Sequence, residues 1–190
     1  MICKQRREMK LRKLWTGAGG SEIAEAALVL PLMFTLLLGI YWFGRAYNVY
    51  ATLNFAARDA ARAGAAPSCA VCSNSSPTLA TLAGIVQQDL QAAKIDPSLI
   101  QHPTPPPSPP RGMSSWVSCS GAAVSCPTIS GADICVYQNV YIDNVTVDTD
   151  LQSCGVSVSF QYPYQMSLPF TSLNMTTVNL KAVAQMALEN

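Results

Sequence analysis

The chain has 190 residues, of which 12% are charged and 49% hydrophobic, with 12 basic against 11 acidic side chains. Sparse charge with plentiful Ser, Thr, Asn and Gln suits an exported protein kept soluble by uncharged polar groups. A single histidine, His102, excludes a confident Ser-His-Asp or Cys-His catalytic arrangement.

Residues 1 to 13 carry Lys4, Arg6, Arg7, Lys10, Arg12 and Lys13 against one acid, Glu8. No aromatic or polar groove residues accompany this basic run, so nucleic acid is not its expected partner. Gly19-Gly20-Ser21 follows as a break, then Glu25, then nineteen uncharged residues from Ala26 to Gly44, closed by Arg45. As a helix that run reaches about 28 Å, close to the ~30 Å hydrocarbon core of a bilayer. Basic residues near a span stay in the cytoplasm, which places the N-terminus there and residues 46 to 190 on the far side.

Three processing fates compete: cleavage after the apolar core, no cleavage, or cleavage between Gly20 and Ser21. The core is longer than that of an ordinary secretory signal, which argues against the first. The third removes the basic flank and keeps the helix. Glu25 lies at the edge of the span, where a helix N-terminus favours an anion and insertion costs less than at the centre. It reads either as a helix-start acid or as the partner of a new α-amine. Pro31, six residues into the run, lacks a backbone N–H and predicts a bend.

Residues 46 to 65 are Ala-rich and helical, with Val49, Leu53, Ala56, Ala57 and Ala60 as an apolar stripe suited to the protein's own sheet. Pro67 ends this helix. Residues 78 to 94 predict a second one, with Leu79, Leu82, Ala83, Val86 and Leu90 on one face. The Pro-rich run 102–110 predicts an exposed extended loop or spacer. The last third alternates in the manner of strands: Ile134, Val136, Val140, Ile142, Val145 and Val147; then Val156, Val158, Phe160 and Tyr162; then Val178 to Leu188. The expected fold is α+β: a long membrane-spanning N-terminal helix, a second helix, and a C-terminal antiparallel sheet of at least three strands. Its parts are a leader (1–20), the long helix (21–65) and an exported domain (66–190).

Six of the seven cysteines lie beyond the span: Cys69, Cys72, Cys119, Cys126, Cys135 and Cys154. An even number in an exported segment predicts disulfides, with 15 connectivities open. A local Cys119–Cys126 loop is one of them. Cys69-x2-Cys72 could instead be a redox pair, as in a membrane-anchored thiol oxidoreductase, or half a zinc site, but no second Cys-x2-Cys exists and the single His lies in the Pro-rich run, so disulfides are expected and no metal. Asp143, Asp148 and Asp150 lack the pattern of a calcium loop. Asn74, Asn144 and Asn174 begin glycosylation sequons, which matter only in a host that glycosylates.

Glu25-Ala26-Ala27-Leu28-Val29-Leu30-Pro31-Leu32, Gly39-Ile40-Tyr41-Trp42-Phe43-Gly44-Arg45 and Ala56-Ala57-Arg58-Asp59-Ala60-Ala61-Arg62-Ala63-Gly64 together resemble the TadE-like proteins, minor pilins or pseudopilins of tight-adherence (Flp, type IVc) pili. The resemblance covers residues 17 to 65 and returns weakly at Leu180–Ala187. It implies cleavage after Gly20, leaving Glu25 at the fifth mature position. Ala26 departs from the aromatic that often follows this Glu in major pilins. The resemblance further implies a structural subunit that helps assemble, cap or regulate a fibre, not an enzyme, and no cofactor. Its implied partners are other pilins, a prepilin peptidase, an inner-membrane assembly platform and the lipid bilayer. A single-span anchored domain that never enters a fibre is the alternative.

Overall fold

The computed structural model describes residues 19–66, 76–110, 113–127, 129, 132–142, 153–165 and 177–188. Cys69, Cys72, residues 143–152, the residues of the three sequons other than Ser76, and the leader before Gly19 lie outside them. The chain divides into two compact units at Arg45/Ala46.

Helix α1 runs from Gly19 to Ala65, 47 residues with Pro31 inside it, about 70 Å at 1.5 Å per residue. Gly19, Gly20 and Ser21 are its first turn and not a break. The Glu-, Ile- and Ala-rich run that follows propagates helix back through them, because extending a formed helix costs far less than starting one. Before Arg45 the apolar side chains Ile23, Leu28, Leu32, Phe34, Leu37, Ile40 and Phe43 are exposed. At 100° per residue these positions cover about two thirds of the circumference, and the remaining sector holds Ala24, Pro31, Leu38 and Trp42, also apolar, with Trp42 buried. A helix apolar all round requires an apolar surrounding, and α1 is long and apolar enough to cross a membrane.

In the second unit the helix changes character. Leu53, Ala56, Ala57, Ala60, Ala61 and Ala65 are buried in the main core, and Val49 packs against it. Small residues at three- and four-residue steps let the backbone approach closely. A β-carbon on Gly64 would stand 3.0 Å from Leu82 Cδ1 and 3.1 Å from Val156 Cγ1, so glycine sets the closest approach of α1 to its neighbours.

Helix α2, Leu79–Ala92, begins at Thr78, whose hydroxyl accepts from Thr81 N–H. It buries Leu82, Ala83, Val86 and Leu90, the face expected from their spacing. Its end is a left-handed cap: Lys94 has φ 59°, Ile95 N–H donates to Leu90 O, and Lys94 N–H to Gln91 O. This pair of bonds satisfies carbonyls that a helix end otherwise leaves free.

Two short strands, β1 (Trp116–Val117) and β2 (Ala123–Val124), form a hairpin. The main sheet holds β3 (Cys135–Tyr141), β4 (Cys154–Tyr164) and β5 (Val178–Ala187) in the order β3-β4-β5, all antiparallel. One extra residue on β3 between Tyr137 and Val140 makes a bulge, with Asn139 at φ 53°, a conformation Asn tolerates better than most residues.

Val156, Val158, Phe160 and Tyr162 of β4 enter the main core with Ile134, Val136, Ala182 and Ala184. The opposite face departs from the simple alternation. Ser157, Ser159 and Gln161 are buried as well, beside Tyr137 and Cys135, their register partners or neighbours. The cover is Trp116, which joins Cys135, Tyr137 and Val140 in a second apolar cluster. β4 is thus central both within the sheet and between two layers.

The Pro-rich run supplies part of that cover and is not a free spacer. Gln101 exchanges two backbone hydrogen bonds with Gln161, at 2.9 and 3.0 Å. It takes the place beside β4 that β3 leaves beyond Cys135. Pro103 is buried, Thr104 N–H donates to Gln161 Oε1 at 3.2 Å, and the Trp116 indole N–H donates to the Pro107 carbonyl at 2.9 Å.

Two disulfides staple this cover. Cys119 joins Cys154, and Cys126 joins Cys135. The local Cys119–Cys126 loop is therefore corrected: each of these cysteines pairs with the sheet. Cys119 N–H bonds to Asn139 O and Tyr141 Oη to Cys119 O. These contacts bring Cys119 to Cys154, the register partner of Tyr141.

Candidate functional site

Gly20 and Ser21 occupy the first turn of α1, where backbone N–H groups have no helical acceptor. Positions 21 and 25 are one turn apart, so they share a face of the helix. Glu25 is exposed, as are the apolar side chains that follow it. Pro31 lies within the continuous helix. The structure thus sets the expected processing pair Gly20 and Ser21, Glu25 and Pro31 on one element, within its first four turns.

A second grouping brings together residues far apart in sequence. His102 Nδ1 lies 3.8 Å from Cys126 Sγ. On its other side His102 Nε2 lies 3.8 Å from Asp133 Oδ1, with both side chains partly exposed. His102 is held by its neighbours: Gln101 is paired to β4, Pro103 is buried, and Thr104 is bonded to the Gln161 side chain. Cys126 is half-buried while its disulfide partner Cys135 is fully buried.

Asp133 also borders a cleft of about 350 Å³ lined by Gln87, Pro97, Ser98, Ile100, Ile129 and Ala132. Ser98 is fixed there by Asp96, whose Oδ1 accepts from the Ser98 N–H at 2.9 Å and hydroxyl at 2.7 Å. These bonds hold the Asp96 carboxyl below the usual aspartate range. On α2 Asp89 behaves oppositely: burial and then the nearby Asp59 carboxylate push its pKa up, and its Oδ2 is buried without a hydrogen-bond partner among the described residues. Among the described residues no three His, Cys, Asp or Glu side chains converge as metal ligands.

The sequence pattern points to Gly20, Ser21, Glu25 and Pro31 on α1 but not to the His102 grouping. Twenty-four residues separate His102 from Cys126, and no local spacing announces the contact. The available signal was a polar Gln-His pair at the head of a Pro-rich run, which the sheet edge then captures.

The family model for TadE-like proteins matches residues 20–62. No curated protein and no solved structure matches the chain. The matched stretch opens at Gly20, contains Glu25 and Pro31, and ends among the alanines that pack into the core. Over this segment, residues 20–62, the chain is similar to the TadE-like proteins.

Proposed function

We propose that this protein is a minor pilin or pseudopilin of a tight-adherence type IV pilus, a structural subunit that helps assemble, cap or regulate the fibre. The observation that carries the reading is the likeness to TadE-like proteins over residues 20–62, on a helix whose apolar side chains before Arg45 are mostly exposed, Trp42 excepted, while those from Leu53 to Ala65 enter the core. Such a helix needs lipid before assembly and neighbouring helices after it. The basic leader puts the N-terminus in the cytoplasm and the sheet unit in the periplasm. From there the protein enters a fibre once a prepilin peptidase has cut between Gly20 and Ser21. The new α-amine at Ser21 then lies one helical turn from Glu25, so the carboxylate neutralises it, or that of a neighbouring subunit. Among apolar helices an unpaired charge is costly, and the pairing fixes register.

The test is Glu25→Ala expressed in a host with the pilus machinery. Membrane insertion and a mature N-terminus at Ser21 are expected to persist, while co-purification with other pilins and the assembly platform from solubilised membranes, and surface piliation, are lost. A wild-type protein that retains residues 1–20 in that host would identify an anchored domain outside the fibre. Normal piliation of the mutant would reduce Glu25 to an ordinary helix-start acid.

A further inference from the structure

We propose that Cys126 is the attacking sulfur through which the Cys126–Cys135 bond is made, with His102 as its base and Asp133 as a positioning residue for His102. Three observations point the same way. Cys126 is accessible and Cys135 is not, so an incoming reagent meets Cys126 first. The chain's single histidine sits with Nδ1 against Cys126 Sγ, and a thiol beside an imidazole ionises more readily than a free one. Asp133 stands at the far side of the same ring, so an imidazolium formed there lies between two anions, thiolate and carboxylate.

The reaction is exchange with an external disulfide, R–S–S–R. In the dithiol form, His102 Nδ1 takes the Cys126 thiol proton. The thiolate attacks one donor sulfur; a Cys126–S–S–R bond forms, the donor's S–S bond breaks, and the departing thiolate recovers the proton from His102. Cys135, giving its proton to the freed imidazole, then attacks Cys126 Sγ. The second donor thiolate leaves and is protonated in turn. Two cysteine thiols are oxidised by two electrons, and one donor disulfide is reduced to two thiols.

The fixed setting of His102 makes this specific to folded protein. Gln101 and Thr104 are both held by Gln161 of the central strand, so the imidazole is in place before the bond closes. No comparable group is placed against Cys119 or Cys154 in the described structure. The Cys119–Cys154 link therefore relies on the ordinary reactivity of its thiols.

The experiment uses full-length Cys135→Ser protein in detergent micelles, oxidised glutathione as the donor, acid quenching and peptide mapping of the adduct. Glutathione is expected on Cys126. Adding His102→Ala is expected to slow that adduct roughly threefold at neutral pH, the gain in thiolate fraction being partly offset by lower nucleophilicity. In urea the two proteins should react at the same rate. Asp133→Asn should show part of the same slowing, and Asp133→Glu should restore it. Equal native rates with and without His102 would overturn the proposal. Should Cys135→Ser fail to fold, partially reduced wild-type chain treated with oxidised glutathione serves instead. The first trapped mixed disulfide should map to Cys126; an adduct first on Cys135 would overturn the assignment.

Discussion

The indole of Trp116 stacks on the ring of Tyr137, centroid to centroid 4.8 Å and 17° from parallel, and so closes the second face of the sheet. Its N–H is spent on the Pro107 carbonyl, which ties the Pro-rich run to the same spot. Trp116→Ala removes the stacking, this bond and the cover over the serine face together. We expect a loss of about 3–5 kcal/mol, read as a lower urea midpoint for the full chain in detergent. Trp116→Phe should recover most of the loss but not the part due to the hydrogen bond.

Beneath that cover, Ser157 and Ser159 have buried hydroxyls with no hydrogen-bond partner among the described residues. A buried polar group without a partner keeps its desolvation cost. Ser157→Ala should therefore raise stability, by roughly 1 kcal/mol. A decrease in the urea midpoint would show that the hydroxyl is bonded.

Gly64 stands where α1 meets Leu82 and Val156. Gly64→Val puts three carbons into a space where even one would crowd both neighbours. Overpacking of this kind costs about 1–3 kcal/mol, against which the better helix propensity of valine is small. Thermal unfolding of the mutant should begin at lower temperature, and Gly64→Ala should fall between the two.

The two disulfides among the described residues differ in the loop they close. Cys119 and Cys154 are 35 residues apart, Cys126 and Cys135 only 9. Chain entropy assigns about 3.8 kcal/mol to the first and about 2.6 kcal/mol to the second. Cys119→Ala with Cys154→Ala should consequently lower the unfolding midpoint more than Cys126→Ala with Cys135→Ala. The reverse order would mean that native-state packing outweighs loop length.

Asp89 gives stability a pH dependence. Its folded pKa is raised by burial and by Asp59, so the folded state binds more protons than the unfolded state between the ordinary and raised values. Its contribution is most favourable below the ordinary aspartate pKa and is lost as pH rises through the folded one. Asp89→Asn should raise the melting temperature at pH 7, and the gain should fade on acidification. A gain independent of pH would place the cause in packing.

The sequence revealed most where periodicity dominates. The Leu53–Ala65 stripe, the α2 face and the core-facing residues of β4 follow from 3.6- or 2-residue repeats, because each buries one side; the run to Gly44 is legible from its unbroken apolar length. The same rule misread Ser157, Ser159 and Gln161. Their polarity suggests solvent, whereas a distant segment covers them. That segment looked like a spacer because proline offers no backbone donor to a sheet. Gln101, just before the run, makes the edge pairing instead. Both disulfide partners and the His102 contact are non-local, so sequence left 15 connectivities open. The helix residues Gly20, Glu25 and Pro31 were legible from order alone.

The core of the second unit takes Leu53 to Ala65 of α1, while most apolar side chains from Ile23 to Phe43 are exposed. The free energy of folding and the free energy of transfer are therefore separable in this protein. On the function proposed above, moving the helix before Arg45 out of lipid and into a bundle of similar helices would exchange one hydrocarbon-like medium for another while the sheet, its cover and the two described disulfides stay intact. A subunit built this way would leave the bilayer already folded.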